Sequence, residues 1–121
     1  MTVTLAAITV DCDDAHALAR FWSAALDRPL ASEPNPTREF ALIGRADHGV
    51  DPTPSWMFAR VPEPKSAKNR MHVDLVAEDR AAEIDRLVAL GAVRGADKDE
   101  WGKQWTVMAD PEGNEFCVAQ A

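Results

Sequence analysis

Along residues 69–77, His72, Asp74 and Val76 alternate with Val73, Leu75 and Ala77, and at Asp79 this rhythm of two gives way to one of 3.6. The change predicts a strand running straight into a helix, with Asp79 as the helix cap. One face of the strand is wholly apolar and suits a covering helix. His72 and Asp74 then look the other way, into whatever cavity the sheet encloses.

The same change of rhythm occurs near the start. Residues 3–12 are apolar and β-branched and stop at Asp13 and Asp14. A helix over 15–26 follows, with Leu18, Phe21, Trp22 and Ala25 at helical spacing and Pro29 as its stop. Short strands are predicted at 30–33 and 38–44, a loop at 45–54, and a bulky fourth strand at 55–61. The Pro-rich, charged segment 62–68 reads as a linker. The second half then predicts a helix over 81–90 with Ile84, Leu87 and Val88 inward and Gly91 ending it. After it come a strand at 92–95, a charged loop at 97–102, a strand at 104–109, a tight turn at 110–113 and a last strand at 115–119.

Sliding residues 7–25 by 65 positions onto 72–90 sets Ile8 on Val73, Val10 on Leu75, Asp14 on Asp79 and Trp22 on Leu87. The shared order of elements makes the chain a tandem repeat of one βαβββ unit, spanning about 3–61 and about 69–120. The expected fold class is α+β. A single domain, 1–121, would carry two such units forming a partly open, cup-shaped sheet of eight strands, with the helices on its convex side.

Composition narrows the partners. With 121 residues the chain can bury about two thirds of its unfolded surface and needs no covalent staples. A net charge of −7 argues against nucleic acid or an anionic membrane as partner. The two cysteines, Cys12 and Cys117, form no metal-binding or disulfide spacing, so free thiols and a cytoplasmic location are expected. No apolar run approaches the ~20 residues of a membrane span, and the first residues lack a basic signal-peptide region.

The two units, the join from His72-Val73-Asp74-Leu75 into Glu78-Asp79, and the closing phrase from Trp105 through Asp110-Pro111-Glu112-Gly113-Asn114 to Phe116 resemble the glyoxalase, bleomycin-resistance and extradiol-dioxygenase superfamily, the vicinal oxygen chelate fold. The resemblance covers essentially the whole chain and is similar above all to short bacterial glyoxalase-like proteins. It implies a homodimer and a small-molecule ligand. In metal-using members it implies ligands on the cavity face of each unit's first strand and on later strands. Of these positions, His72 is retained, its first-unit counterpart is Ala7, the last-strand position is Cys117, and residues 55–61 hold neither an acid nor a histidine. No metal and no other cofactor is therefore expected.

The candidate ligand-binding residues are His72, Asp74, Trp56, Phe58, Trp105, Glu115 and Cys117. His72 is also the candidate catalytic base, since an imidazole titrates near neutrality and Asp74 could orient it. The plainer alternative is a strand histidine satisfied by Asp74 or a carbonyl. Cys117 reads as a small buried thiol rather than a nucleophile. Trp56, Phe58 and Trp105 would form apolar walls, with Trp101 in a bordering loop, or would pack under a helix, depending on strand register. Asp110 with Glu112 reads as a hairpin turn, while His16 and His48 read as solvated. The first expectation is a metal-independent protein that sequesters a planar or apolar molecule, with room for a cationic one. The alternative is a lyase, isomerase, epimerase or dioxygenase-related enzyme using His72 as base or metal ligand.

Overall fold

The computed structural model describes residues 2–45 and 53–121, so His48 and most of the loop expected at 45–54 lie outside the described residues. The described residues form two compact units, Met1–Pro64 and Lys65–Ala121.

In the first unit, β1 (Ala7–Cys12) is followed by α1 (Ala15–Leu26), β2 (Phe40–Ile43) and β3 (Ser55–Arg60). Their sheet has the order β1-β3-β2, with β1 parallel and β2 antiparallel to β3. The strand expected from residue 3 begins only at Ala7, because its partner strand starts opposite it at Ser55; Val3 and Leu5 stay exposed. The strand expected at 30–33 is reduced to a single bridge between Leu30 and Ile43. Pro34 and Pro36 follow at once and cannot donate to a ladder. Seven strands are thus formed among the described residues, three here and four in the second unit.

The Asp14 side chain caps α1 by accepting from the Ala17 amide at 3.0 Å. Asp27, in the left-handed conformation, ends it two residues before Pro29. Leu18, Phe21, Trp22 and Ala25 are buried, as their spacing requires.

The register corrects two expected cavity residues. Trp56 pairs with Ile8 and Ile43, and Phe58 with Val10 and Ala41, so both point to the side that α1 covers. The Trp56 ring lies 4.8 Å from that of Trp22 and 6.2 Å from that of Phe58. Phe58 is fully buried. These two rings are core, because a helix with an indole on its inward stripe needs aromatic surface beneath it.

The second unit repeats the plan: β4 (Asp74–Ala77), α2 (Arg80–Leu90), β5 (Val93–Glu100), β6 (Lys103–Ala109) and β7 (Glu115–Gln120). The sheet order is β4-β7-β6-β5. Asp79 caps α2, accepting from the Ala82 amide at 3.1 Å, and Gly91 ends it at φ 123°. Ile84 and Leu87 are buried, but Val88 is 44% exposed, since α2 is met by β4, β5 and β7 along a stripe too narrow to reach it. The charged loop expected at 97–102 is instead the end of β5 and a two-residue hairpin, Trp101-Gly102, with both residues at positive φ. Asp110 does close its turn. Its Oδ1 accepts from the amides of Glu112 at 2.9 Å and Asn114 at 3.0 Å.

Because Trp56 and Phe58 carry the first unit's core, Trp56→Ala or Phe58→Ala should each cost about 3 to 5 kcal/mol. Urea denaturation monitored by circular dichroism measures this. A loss below about 1 kcal/mol for both, the range of surface changes, would contradict the placement.

Candidate functional site

The faces of the second sheet follow from its register. In the parallel β4/β7 pair, Asp74 lies opposite Cys117 and Leu75 opposite Val118. In β6/β7, Val107 lies opposite Cys117 and Trp105 opposite Ala119. Phe116, Val118, Thr106 and Met108 are buried on the side that α2 covers. Pleat alternation then puts Asp74, Cys117, Val107 and Trp105 together on the other face.

His72 joins them. It precedes β4, but the ladder continues past the strand's end, where the Cys117 amide donates to the Val73 carbonyl at 3.1 Å. The His72 Nε2 lies 3.4 Å from Asp74 Oδ1. One ligand atom from each of His72, Asp74 and Cys117 falls within 4.8 Å of the others. Burial pushes the Cys117 thiol up, and the neighbouring Asp74 carboxylate, which accepts from the thiol, pushes it further; nearby Lys68 opposes them weakly. A thiol so placed keeps its proton and is a poor nucleophile.

Glu115 shares this face through its alternation with Cys117, but its carboxylate is committed elsewhere. One oxygen pairs with Lys65 Nζ at 3.0 Å, and the other accepts from the Asn69 amide at 3.0 Å. The Asn69 side chain donates back to the Glu115 carbonyl at 3.2 Å. The Asn69 amide, with Lys65, lowers the Glu115 carboxyl to about 2. Glu115 thus clips the segment entering the unit to its last strand and is not free to meet a ligand.

Trp105 carries a partner, Trp101, that the sequence pattern assigns to a bordering loop. The Trp101 ring stacks on it at 6.1 Å and 10° between planes, while Trp101 remains 85% exposed. Trp101 sits at φ 53°, a backbone region that bulky side chains seldom adopt. The signal was present as a Trp-Gly pair standing where a two-residue hairpin ordinarily has Asn-Gly.

The metal positions that the family resemblance implies do not carry the donors that a hard ion needs. Ala7 offers no donor, and β3 carries no acid or histidine. The second unit offers one imidazole, one carboxylate and a thiol that burial holds protonated, whereas a hard divalent cation takes oxygen ligands throughout.

A fold of two βαβββ-like units, each with one helix on one face of a mixed sheet, and with the repeat's retained histidine on the uncovered face, is that of the vicinal oxygen chelate class. The chain belongs to the glyoxalase-like domain family, which matches residues 7–119. Solved structures agree on the fold. A glyoxalase/bleomycin resistance protein/dioxygenase family enzyme from Burkholderia phytofirmans superposes with a TM-score of 0.75 at 15% identity, over 98% of each chain. Oxidase ChaP-H2 does so with a TM-score of 0.68 at 18% identity, covering all of this chain and 95% of its own. The bleomycin-binding protein of Streptomyces verticillus, complexed with copper(II)-bleomycin, gives 0.62 at 15%, over 100% and 98%. No curated protein matches the chain. Among the described residues, no helix is long and apolar enough to cross a membrane.

The clip has a pH signature. Glu115 has a folded pKa depressed from 4.5 to about 2, so its contribution to stability is present above pH 4.5 and is lost as pH falls toward 2. Glu115→Gln should lower stability at pH 7 and flatten the acid limb of the stability curve between those values. Denaturation midpoints compared at pH 7 and pH 3 check this; parallel curves for both proteins would refute it.

Proposed function

We propose that this chain is a metal-independent small-molecule binding protein whose binding face is the helix-free side of the second sheet. The observation that carries the reading is the convergence of His72, Asp74 and Cys117 on the face that also holds the Trp105–Trp101 stack. A few polar groups beside broad apolar surface is the composition that small-molecule sites favour. The exposed His72–Asp74 pair gives an oriented hydrogen-bonding group, and the indoles give a surface for a flat ring. The solved bleomycin-binding relative supports sequestration as a use of this fold, at the level of analogy.

A second reading is favoured by one distance, the 3.4 Å between His72 and Asp74. An imidazole held by a carboxylate is a serviceable general base, so an isomerase- or lyase-type proton transfer centred on His72 is the competing function. In that case His72 takes the proton and Asp74 stabilises the imidazolium. Zinc with the three donors of this face is its metal-using form, and it requires loss of the Cys117 proton. A homodimer is proposed with either reading.

Native mass spectrometry of freshly purified protein should reveal a retained small molecule and no stoichiometric metal. With that molecule identified, tryptophan quenching titrations should show His72→Ala and Trp105→Ala each weakening binding by roughly 1 to 3 kcal/mol. His16→Ala, on α1, should leave it unchanged. Stoichiometric zinc that disappears in His72→Ala would overturn the metal-independent reading in favour of the second.

A further inference from the structure

The chain is acidic, yet its four lysines, Lys65, Lys68, Lys98 and Lys103, all lie in the second unit. The register puts two of them, Lys98 and Lys103, on the face of the sheet that carries Trp105. Lys98 lies directly opposite Trp105 across β5/β6, and Lys103 precedes Trp105 by two residues on the same strand. Lys68 is close enough to Cys117 to act on its thiol, and Lys65 is held by Glu115.

Away from the indoles the same face holds Asp74, 3.4 Å from His72, and Glu115, held by Lys65. Arg86 pairs with Glu83 on α2, and Arg94 pairs with Asp97. Asp97 is anchored to the helix-covered side by the Thr106 hydroxyl, which donates to it at 2.7 Å. The bulge in β5 between Arg94 and Asp97 resets the alternation, so that Asp97 turns toward the helix side and Lys98 toward the indoles. Gly95 permits the bulge, since a Cβ there would stand 2.8 Å from the Val107 carbonyl oxygen. Beside the indole stack the balance is two lysines, Lys98 and Lys103, against one acid, Glu100, which pairs in register with Lys103. No ion pair holds Lys68, Lys98 or Lys103 among the described residues.

We propose that the ligand of this face is a planar aromatic anion, with its ring on the Trp101–Trp105 stack and its carboxylate or phenolate oxygen toward Lys98 and Lys103. This rests on the binding function proposed above and reverses the charge that the acidic composition suggested. A cationic ring would meet two ammonium groups beside the stack. An anionic one gains from both, and the chain's overall negative field is offset locally. The exposed Trp101, held at an unfavourable φ yet stacked, supplies the flat surface such a ring needs.

The test is isothermal titration calorimetry of the full chain with three probes of one ring system: 2-naphthoate, 2-naphthamide and 2-naphthylmethylammonium. Naphthoate should bind about fivefold or more tightly than the ammonium probe, with the amide between them, as expected of two partly screened charge contacts. Lys98→Gln with Lys103→Gln should abolish that preference while leaving the amide's affinity within about twofold, and Trp101→Ala should weaken all three. Raised salt should weaken naphthoate alone. Equal binding of the three probes, or a preference unaltered by the lysine substitutions, overturns the anion assignment while leaving the binding function standing. If no probe binds up to millimolar concentration, the aromatic-anion assignment falls, while the binding function is decided separately by the molecule retained in native mass spectrometry.

Discussion

Every side chain on the candidate face owes its position to one pairing, the parallel register that sets Asp74 opposite Cys117. A strand has a period of two, so slipping β4 by one residue would turn Asp74 toward α2 and bring Leu75 out to water. Val118, buried under α2 and opposite Leu75, is what makes that slip costly. The apolar alternation of Val73, Leu75 and Ala77 therefore specifies the site from behind. The polar residues converge because their neighbours have only one favourable side.

The same logic separates what could be read from the residues from what could not. Both helices, with their capping Asp14 and Asp79, were legible, because an N-cap beside a 3.6-residue pattern is a local signal. His72, Asp74 and Cys117 were legible as one face because a helix follows the strand directly. Trp56 and Phe58 were not. Both flank Met57 in a strand that is apolar on either side, so alternation groups them together but does not say which side α1 covers. That is decided by β3 pairing Trp56 with Ile8, and by Trp22 descending onto it, neither of which is a local property. Residues 97–102 carry a misleading local signal for a related reason. Charges and a glycine resemble a loop, but an edge strand is also charged, since charge protects an unpaired edge from pairing with another chain.

Glu115 shows how an expected ligand residue can be correctly located and differently employed. Its face was legible from the strand period. Its engagement was not, because Lys65 and Asn69 reach it from a segment whose path only the folded chain reveals. The candidate metal donors divide in the same way. The sequence displays which donors are missing, while the state of the remaining thiol depends on burial and on Asp74.

The order β4-β7-β6-β5 places the last strand of the chain inside the second sheet, between the first strand of that unit and the hairpin. During synthesis, β4 and the helix after it emerge with no strand to lie against, and β5 with β6 can form only a two-stranded ribbon. The second core lacks its central strand until residues 115–120 are available to pair, and His72 and Asp74 gain Cys117 in the same step. In this half of the molecule assembly of the fold and assembly of the face are therefore a single event, and removing β7 would take out the keystone rather than a fringe.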